Sequence, residues 1–126
     1  MPDDEKRREA EMNDLQDRTK KFALDVIRLC VRLPQKQEFW IIGKQLIRSA
    51  TSVGANYRSA CRAKSKADFI AKLSIVEEEA DESIYWLELL EELRVQDPEL
   101  PRLKDEGNQL VAIVVASKKT ARGNVE

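Results

Sequence analysis

Apolar residues near the start of the chain recur at the spacing of one helical face. Steps of seven, four, three and four residues separate Leu15, Phe22, Val26, Leu29 and Leu33. Steps of three and four place side chains on the same side of an α-helix. Pro34 follows and has no amide hydrogen with which to continue the helix. The pattern predicts a first helix over residues 12–33, with residues 1–11 as a frayed or helical lead-in.

Three further helices are predicted along the rest of the chain. A second helix over residues 38–62 is indicated because no proline interrupts it. Ser65 can cap a third helix over residues 66–95, since its hydroxyl can accept a hydrogen bond from an amide of the first turn. The segment QDPELP, with its two prolines, ends that helix. Apolar residues then recur at helical spacing and predict a fourth helix over residues 102–122.

Composition favours the same fold class. The chain has 126 residues, of which 42% are apolar, 36% are charged and only 6% are aromatic, with four glycines and four prolines. This balance is typical of long helices with charged surfaces and argues against strands. Short connections make successive helices antiparallel neighbours. We therefore expect an all-α protein, a single domain over residues 1–126 that forms an antiparallel up-down-up-down four-helix bundle.

The absence of one residue type excludes many enzyme classes. The chain has no histidine, which rules out Ser-His-Asp and Cys-His nucleophiles, histidine-based zinc sites and the Glu-x-x-His ligands of di-iron bundles. Cys30 and Cys61 are 31 positions apart, and we expect them to be small buried side chains and not a zinc or redox pair. We expect no catalytic residue, no metal ligand and no cofactor.

Hydropathy argues against a membrane segment. The longest strongly apolar run has seven residues, from Leu110 to Ala116, whereas a membrane-spanning helix needs about 20. The first residues also lack the apolar stretch of a signal peptide. The sequence therefore predicts a cytoplasmic protein that does not bind membranes.

Basic residues form a line along the predicted second helix, which we call the basic ridge. Its members share one helical face: Lys44, Arg48, Arg58 and Arg62. Lys64 and Lys66 continue the positive charge into the joint that follows. Lysine and arginine hold phosphate groups without reading base sequence. The candidate nucleic-acid-binding residues are therefore Lys44, Arg58, Arg62, Lys64 and Lys66, and we expect binding by shape.

An acidic strip on the predicted third helix mirrors the basic ridge. Its members are Glu77, Asp81, Glu88 and Glu92. Residues 36–67 carry seven bases and one acid, whereas residues 68–106 carry four bases and thirteen acids. One interpretation is that the ridge and the strip face each other, within or between subunits, and fix the register. The other is that the ridge contacts nucleic acid.

A second apolar face on the third helix predicts self-association. It lies opposite the face that would enter the core and comprises Ile75, Trp86, Leu89 and Leu93. A lone four-helix bundle would leave this face in water, and exposed apolar patches of that kind usually mark interfaces. We therefore expect these residues to be contacts in a homo-oligomer.

Several motifs of the chain resemble those of the four-helix-bundle family of 23S rRNA intervening-sequence proteins. They are QLIRS at Gln45–Ser49, SVGANYR at Ser52–Arg58, Ser65 with Asp68–Ile70, and EADE at Glu79–Glu82 with Tyr85–Leu87. Phe22–Pro34 also resembles the first helix of the family. The resemblance implies an antiparallel four-helix bundle that assembles as a ring-like homopentamer, and no enzyme activity is established for the family.

The resemblance also implies partners and a polar network. A related branch, the accessory variability proteins of diversity-generating retroelements, comprises similar bundles that bind nucleic acid and a reverse transcriptase through a basic surface. Polar positions of the family are matched by Arg48, Asn56, Arg58, Glu79 and Glu82. We interpret these side chains as a buried, paired network that specifies packing and not as a reactive site.

Two functions stay open on the sequence alone. The first is a non-enzymatic homo-oligomer, a pentamer by resemblance, that acts as a nucleic-acid-associated or scaffold protein and binds RNA or DNA backbone through the basic ridge. The second is a protein-binding adaptor ring without nucleic-acid affinity. The second is motivated by the near-neutral net charge of −1 and by the acidic strip.

Overall fold

A computed structural model describes residues 2–123 of the chain. It contains four α-helices and, within these residues, no strand: α1 (Pro2–Val31), α2 (Gln37–Cys61), α3 (Lys66–Glu92) and α4 (Glu99–Gly123). The prediction of an all-α protein with four helices is confirmed. None of these helices is long and apolar enough to cross a membrane.

The first helix begins earlier than the sequence pattern predicts. It starts at Pro2 and not near residue 12, so the lead-in belongs to α1. Three acids in its first turn, Asp3, Asp4 and Glu5, are favourable there because the helix dipole places positive charge at the N-terminus. Every other helix end lies within three residues of its predicted position.

A side-chain cap fixes the start of α3. Ser65 has an extended backbone, and its Oγ accepts a hydrogen bond from the Asp68 amide at 3.0 Å. The Asp68 carboxylate in turn accepts from the amide of Lys64 at 3.3 Å. Such a cap typically stabilises a helix by about 1 kcal/mol. The predicted capping role of Ser65 is confirmed.

A left-handed residue ends α3 earlier than predicted, at Glu92. Arg94 has φ 65°, the one positive φ of a non-glycine residue in the described part of the chain. The amide of Val95 donates to the carbonyl of Leu90, and the amide of Arg94 donates to that of Glu91. This pair of bonds is a Schellman motif, which closes a helix and usually has glycine at the left-handed position.

The core is made of aliphatic side chains from all four helices together with Phe22, Phe39 and Tyr57. The largest side chains that are fully buried include Phe22, Leu29, Leu46, Leu73, Leu87, Leu90, Leu100, Leu103 and Leu110. Four of the five residues in the predicted apolar face of the first helix are buried, and Leu33 is half-buried at its end. Each such side chain contributes about 1.5–3 kcal/mol when it leaves water, so the core accounts for most of the folding free energy.

Helices α1 and α2 pack closely where a glycine faces a backbone carbonyl. A Cβ added at Gly54 would lie 3.4 Å from the carbonyl oxygen of Thr19. Further along, the thiol of Cys30 donates to the carbonyl of Gly43 at 3.7 Å. Later residues of α1 thus contact earlier residues of α2.

Ion pairs join α1 to α4 in the same reversed order. Arg18 donates to the carboxylate of Glu106 at 2.7 Å, and Arg32 donates to that of Asp97 at 2.8 Å. The hydrogen bond from Arg32 lowers the pKa of Asp97 below its ordinary value. The earlier residue, Arg18 of α1, therefore pairs with Glu106 inside α4. The later residue, Arg32 just after α1, pairs with Asp97 just before α4.

A buried carboxylate holds three basic side chains between α1 and α4. Asp25 accepts hydrogen bonds from Lys21 at 2.9 Å, Arg28 at 3.1 Å and Arg102 at 2.8 Å. Burial raises its pKa, but the bonds from Lys21 and Arg102 outweigh that effect, and the net pKa is lower than ordinary. Asp25 is therefore charged in the folded protein at neutral pH.

Helices α3 and α4 are tightly packed at Gly107. A Cβ added there would lie 2.9 Å from Cγ1 of Ile84, inside the normal contact distance. Nearer the end of α4, Lys118 donates to the Ser74 hydroxyl at 3.1 Å and lies 2.7 Å from Oε1 of Glu77. Glycine is therefore needed at position 107 for the observed spacing of the two helices.

Candidate nucleic-acid interface

A cleft between α1 and α2 has small residues on its floor and cations at its edge. It has a volume of about 410 Å³. Its polar edge is formed by Gln16, Asp17, Lys20, Arg58 and Arg62, and its floor by Ala23, Thr51, Gly54 and Ala55. The small floor residues let a ligand backbone lie close to the helices. The cleft therefore presents cations from both α1 and α2 to the same volume.

A second groove, of about 340 Å³, lies on the other side of the same two arginines. It runs from α2 across the joint to α3 and is lined by Ala55, Arg58, Ser59, Arg62, Lys64, Asp68 and Lys72. Lys72 donates to Asp68 at 2.8 Å, and this bond lowers the pKa of Asp68. Arg58 and Arg62 thus stand between two grooves.

We call the cations of the two grooves the basic cluster: Lys20, Arg58, Arg62, Lys64 and Lys72. Within residues 2–123, only Lys72 of this set forms an ion pair. Three members were predicted from the sequence. Lys20 and Lys72 were missed because they lie on α1 and α3, outside the basic ridge, and only the packing of the helices brings them to Arg58 and Arg62.

Two predicted binding residues lie apart from the basic cluster. Lys44 is 14 positions before Arg58 on α2, roughly 21 Å at the rise of an α-helix, and its Nζ lies 5.2 Å from the ring centroid of Trp40. Lys66 is exposed at the first position of α3 but lines neither groove. The two grooves therefore include only the Arg58–Arg62 end of the line of cations on α2.

The predicted polar network forms only in part and lies at the surface. Arg48 donates to Glu82 and, at 3.3 Å, to Glu79. Trp86 Nε1 also donates to Glu82 at 2.9 Å. The hydrogen bond from Arg48, followed by that from Trp86, lowers the pKa of Glu82. The structure corrects the expectation of burial, because the Arg48 side chain is 46% exposed at the edge of α2.

Asn56 does not join this network. Its amide donates to the carbonyl of Ser52 on the same helix at 2.8 Å. Asn56 lies eight positions beyond Arg48, roughly 12 Å along the axis, so it is too far from Arg48 to share its partners. Arg58, another matched polar position, lines the two grooves and forms no ion pair with a described residue.

The basic ridge and the acidic strip do not meet within the chain. Arg48 is the one ridge residue that pairs with a described carboxylate, and its partners Glu79 and Glu82 are not members of the strip. Glu77 of the strip lies against Lys118 of α4. The interpretation that the two lines face each other inside one subunit is therefore wrong, and a contact between subunits stays a prediction.

The predicted apolar interface is half exposed. Ile75 and Leu93 are 40% and 47% exposed, whereas Trp86 and Leu89 are half-buried and pack against the core. Other large apolar side chains exposed in the described part of the chain are Leu24, Val31, Trp40, Ile41, Tyr85 and Val115. Trp40 was not predicted, because the residues that follow it on the same helical face, Lys44 and Arg48, are cations and not apolar.

The sequence places the chain in a known family. Residues 11–116 match the family described as "23S rRNA-intervening sequence protein". The chain belongs to this family. The resemblance predicted from the motifs is confirmed, and the link to retroelement proteins stays a prediction.

A solved structure supports the placement of this intervening-sequence protein. It is a protein of unknown function from the S23 ribosomal protein family of Bacteroides thetaiotaomicron. The two chains share 34% sequence identity and superpose with a TM-score of 0.78, over 86% of this chain and 97% of that chain. No curated protein matches the chain.

Both cysteines of the chain are partly buried. Burial raises the pKa of Cys30 to about 11, and burial also raises that of Cys61, so both thiols are protonated near neutral pH. Between residues 2 and 123, no three cysteine, aspartate or glutamate side chains lie together as a metal site.

Proposed function

We propose that this intervening-sequence protein binds the phosphate backbone of nucleic acid through the basic cluster. One observation carries the proposal. Lys20, Arg58, Arg62 and Lys64 converge on two adjoining grooves and have no ionic partner within residues 2–123. Six of the nine arginines outside the basic cluster, such as Arg18, do pair with carboxylates. These cations lack a carboxylate partner and are therefore available to bind phosphate groups. Their binding would release the counterions that surround the nucleic acid, which favours association.

The proposed binding depends on shape and charge and not on base sequence. Lysine and arginine contacts to phosphate position a protein on nucleic acid but carry no sequence information. A structured RNA presents phosphates across its grooves, and proteins recognise such helices mainly by their shape. We therefore expect similar affinity for RNA or DNA of similar geometry.

The proposed assembly is an antiparallel up-down-up-down bundle that forms a ring-like homopentamer in the cytoplasm and has no enzyme activity. The reversed order of contacts between α1 and its neighbours α2 and α4 supports the antiparallel arrangement. The exposed apolar side chains Ile75 and Leu93 support self-association. Light scattering should give a mass five times the 14.5 kDa of the chain, and a monomer at micromolar concentration would contradict this assembly.

The binding proposal is tested by fluorescence anisotropy on a labelled structured RNA and a duplex DNA at several salt concentrations. If each subunit neutralises three phosphates of the duplex, the logarithm of the association constant should fall with the logarithm of the salt concentration with a slope of about 2.7 in magnitude. The double variant Arg62→Glu with Lys64→Glu should lower the slope by about 2. Lys6→Glu with Lys119→Glu changes the net charge equally at exposed positions outside the cluster and should leave affinity unchanged. The proposal is refuted if the two double variants bind nucleic acid with the same affinity and the same salt dependence.

The alternative is an adaptor ring that binds another protein, a reverse transcriptase among the candidates. The exposed aromatic residues Trp40 and Tyr85 favour it, because aromatic side chains are enriched in protein interfaces. A pull-down from native lysate with and without nuclease separates the two functions. Partners that remain after nuclease treatment support the adaptor, and partners lost with the nucleic acid support backbone binding.

A further inference from the structure

The far end of the basic ridge carries an aromatic ring in an unusual position. Trp40 lies in the first turn of α2 and is 67% exposed, the second largest exposure among the large apolar side chains of the described residues. The Nζ of Lys44 lies 5.2 Å from its ring centroid, which is a cation–π contact. One face of the indole is therefore next to a positive charge, and most of its surface is in water.

This aromatic ring shares one helical face with the arginines of the basic cluster. Every residue of this face is exposed: Trp40, Lys44, Arg48, Thr51, Ala55, Arg58 and Arg62. The steps of three and four residues keep the side chains in line along α2, over roughly 33 Å from Trp40 to Arg62. The middle of the face has the short side chains of Thr51 and Ala55. A flexible strand lying on it would meet cations at both ends and an aromatic ring at one.

We propose that this face binds single-stranded nucleic acid, with one unpaired base stacked on Trp40. The proposal rests on the proposed function and specifies its ligand. Proteins that bind single strands combine a positively charged track with aromatic side chains on which bases stack. In a duplex the bases already stack on each other and cannot reach Trp40. The indole would thus distinguish a single strand from a duplex, while the basic cluster binds the phosphates of both.

Charge favours a nucleic-acid ligand over a protein at this end of α2. A dry apolar interface on Trp40 would also cover Lys44, which has no ionic partner in the described chain, and burial of an unpaired ammonium group is unfavourable. A nucleotide avoids this problem because its base covers the ring and its phosphate pairs with Lys44.

The test compares a labelled oligothymidine of about 20 nucleotides, longer than the ~4–16 nucleotides of typical single-strand sites, with a blunt duplex of the same length. Trp40→Ala should weaken binding of the single strand by about 5-fold or more, the low end for one stacked base. The duplex affinity should not change. Trp40→Phe keeps an aromatic face and should retain most of the single-strand affinity.

A matched control is available on α3. Tyr85 is also an exposed aromatic residue, at 51%, but it lies outside the proposed face. Tyr85→Ala should leave the affinity for both probes unchanged. Tryptophan emission gives a second measurement, because the chain has two tryptophans. With Trp86→Phe the emission comes from Trp40 and should be quenched by oligothymidine, whereas with Trp40→Phe the emission of Trp86 should stay constant.

The outcomes separate the two proposals. Suppose that the double variant Arg58→Glu with Arg62→Glu binds both probes more weakly. If Trp40→Ala then changes neither affinity, or lowers the affinities for the single strand and the duplex equally, backbone binding stands and stacking on Trp40 is wrong. If the arginine variant leaves both affinities unchanged, or the unaltered protein binds neither probe at about 50 mM salt, where phosphate contacts are strong, both proposals fail. If Trp40→Ala lowers the affinity for the single strand and leaves the affinity for the duplex unchanged, the result supports the stacking site.

Discussion

The close approach of α3 and α4 makes Gly107 a sensitive position. In most helices, replacing an interior glycine with alanine stabilises the protein by about 0.5–1 kcal/mol. Here the added Cβ would lie 2.9 Å from Cγ1 of Ile84 and 3.8 Å from Cζ of Phe22. Cγ1 is bonded directly to the Ile84 Cβ, so it cannot move away without a new rotamer or a shift of the helix. Overpacking of this kind costs about 1–3 kcal/mol.

The balance predicts that Gly107→Ala destabilises the protein by about 1–2 kcal/mol. For a chain of this size, each kcal/mol lowers the melting temperature by about 4 °C, so a fall of about 4–8 °C is expected in a thermal melt at fixed protein concentration. Gly123→Ala serves as the control, because nothing lies within 4 Å of the Cβ added there. It should melt with the parent or slightly above it.

A second variant identifies the cause of the Gly107 effect. Ile84→Ala removes Cγ1, and Gly107→Ala made in that background should stabilise the chain by about 0.5–1 kcal/mol, because the helix propensity of alanine then acts alone. The reasoning is wrong if Gly107→Ala melts at or above the parent temperature. It is also wrong if the effect is the same with and without the Ile84 side chain.

Three further predictions concern the ion pairs and the end of α3. Arg48→Ala should destabilise by at most about 1 kcal/mol in urea unfolding, because its ion pair is largely exposed; a loss of several kcal/mol would indicate the buried network predicted from sequence. Arg94→Gly should raise stability by up to about 1 kcal/mol, since glycine adopts the left-handed conformation without strain, and a lower melting temperature would contradict this. Because the pKa values of Asp25 and Asp97 are lowered in the folded protein, both residues stabilise it. Their contribution to the free energy of unfolding is complete above about pH 4 and is lost as the pH falls through the lowered pKa values. Acid titration should therefore narrow the stability difference between the parent and Asp25→Asn, and a difference that is constant from neutral to acidic pH would disprove the assignment.

The helices were predictable because their stability comes from local and periodic features. The apolar steps from Leu15 to Leu29, the proline at position 34 and the cap at Ser65 each act within a few residues, so the sequence alone reveals them. Residues 1–11 could be predicted only as a frayed or helical lead-in, because they bury little apolar surface and show no apolar periodicity; the structure has the helical alternative from Pro2 onward. The end of α3 was missed because Arg94 occupies a conformation for which glycine is the usual indicator.

The candidate site was predictable only as far as it follows one helix. Arg58, Arg62 and Lys64 follow one another on α2 and the joint, so their proximity could be inferred from spacing. Lys20 and Lys72 line the grooves from α1 and α3, and only the packing of these helices against α2 brings them there. The polar network that the family resemblance implied was too large, since Asn56 lies eight positions beyond Arg48 along α2 and bonds within its own helix.

The first third of α1 is a helix without a core beneath it. Residues 5–11 are all exposed, whereas Leu15, Phe22, Val26 and Leu29 are buried. Backbone amides exchange with solvent by the opening that costs least free energy. We therefore expect the amides of residues 5–11 to exchange by fraying of the helix end, which requires almost no free energy. The amides around Val26 should exchange only when the whole protein unfolds. Within one continuous helix, protection from exchange should therefore rise near Leu15, where the buried face of α1 begins.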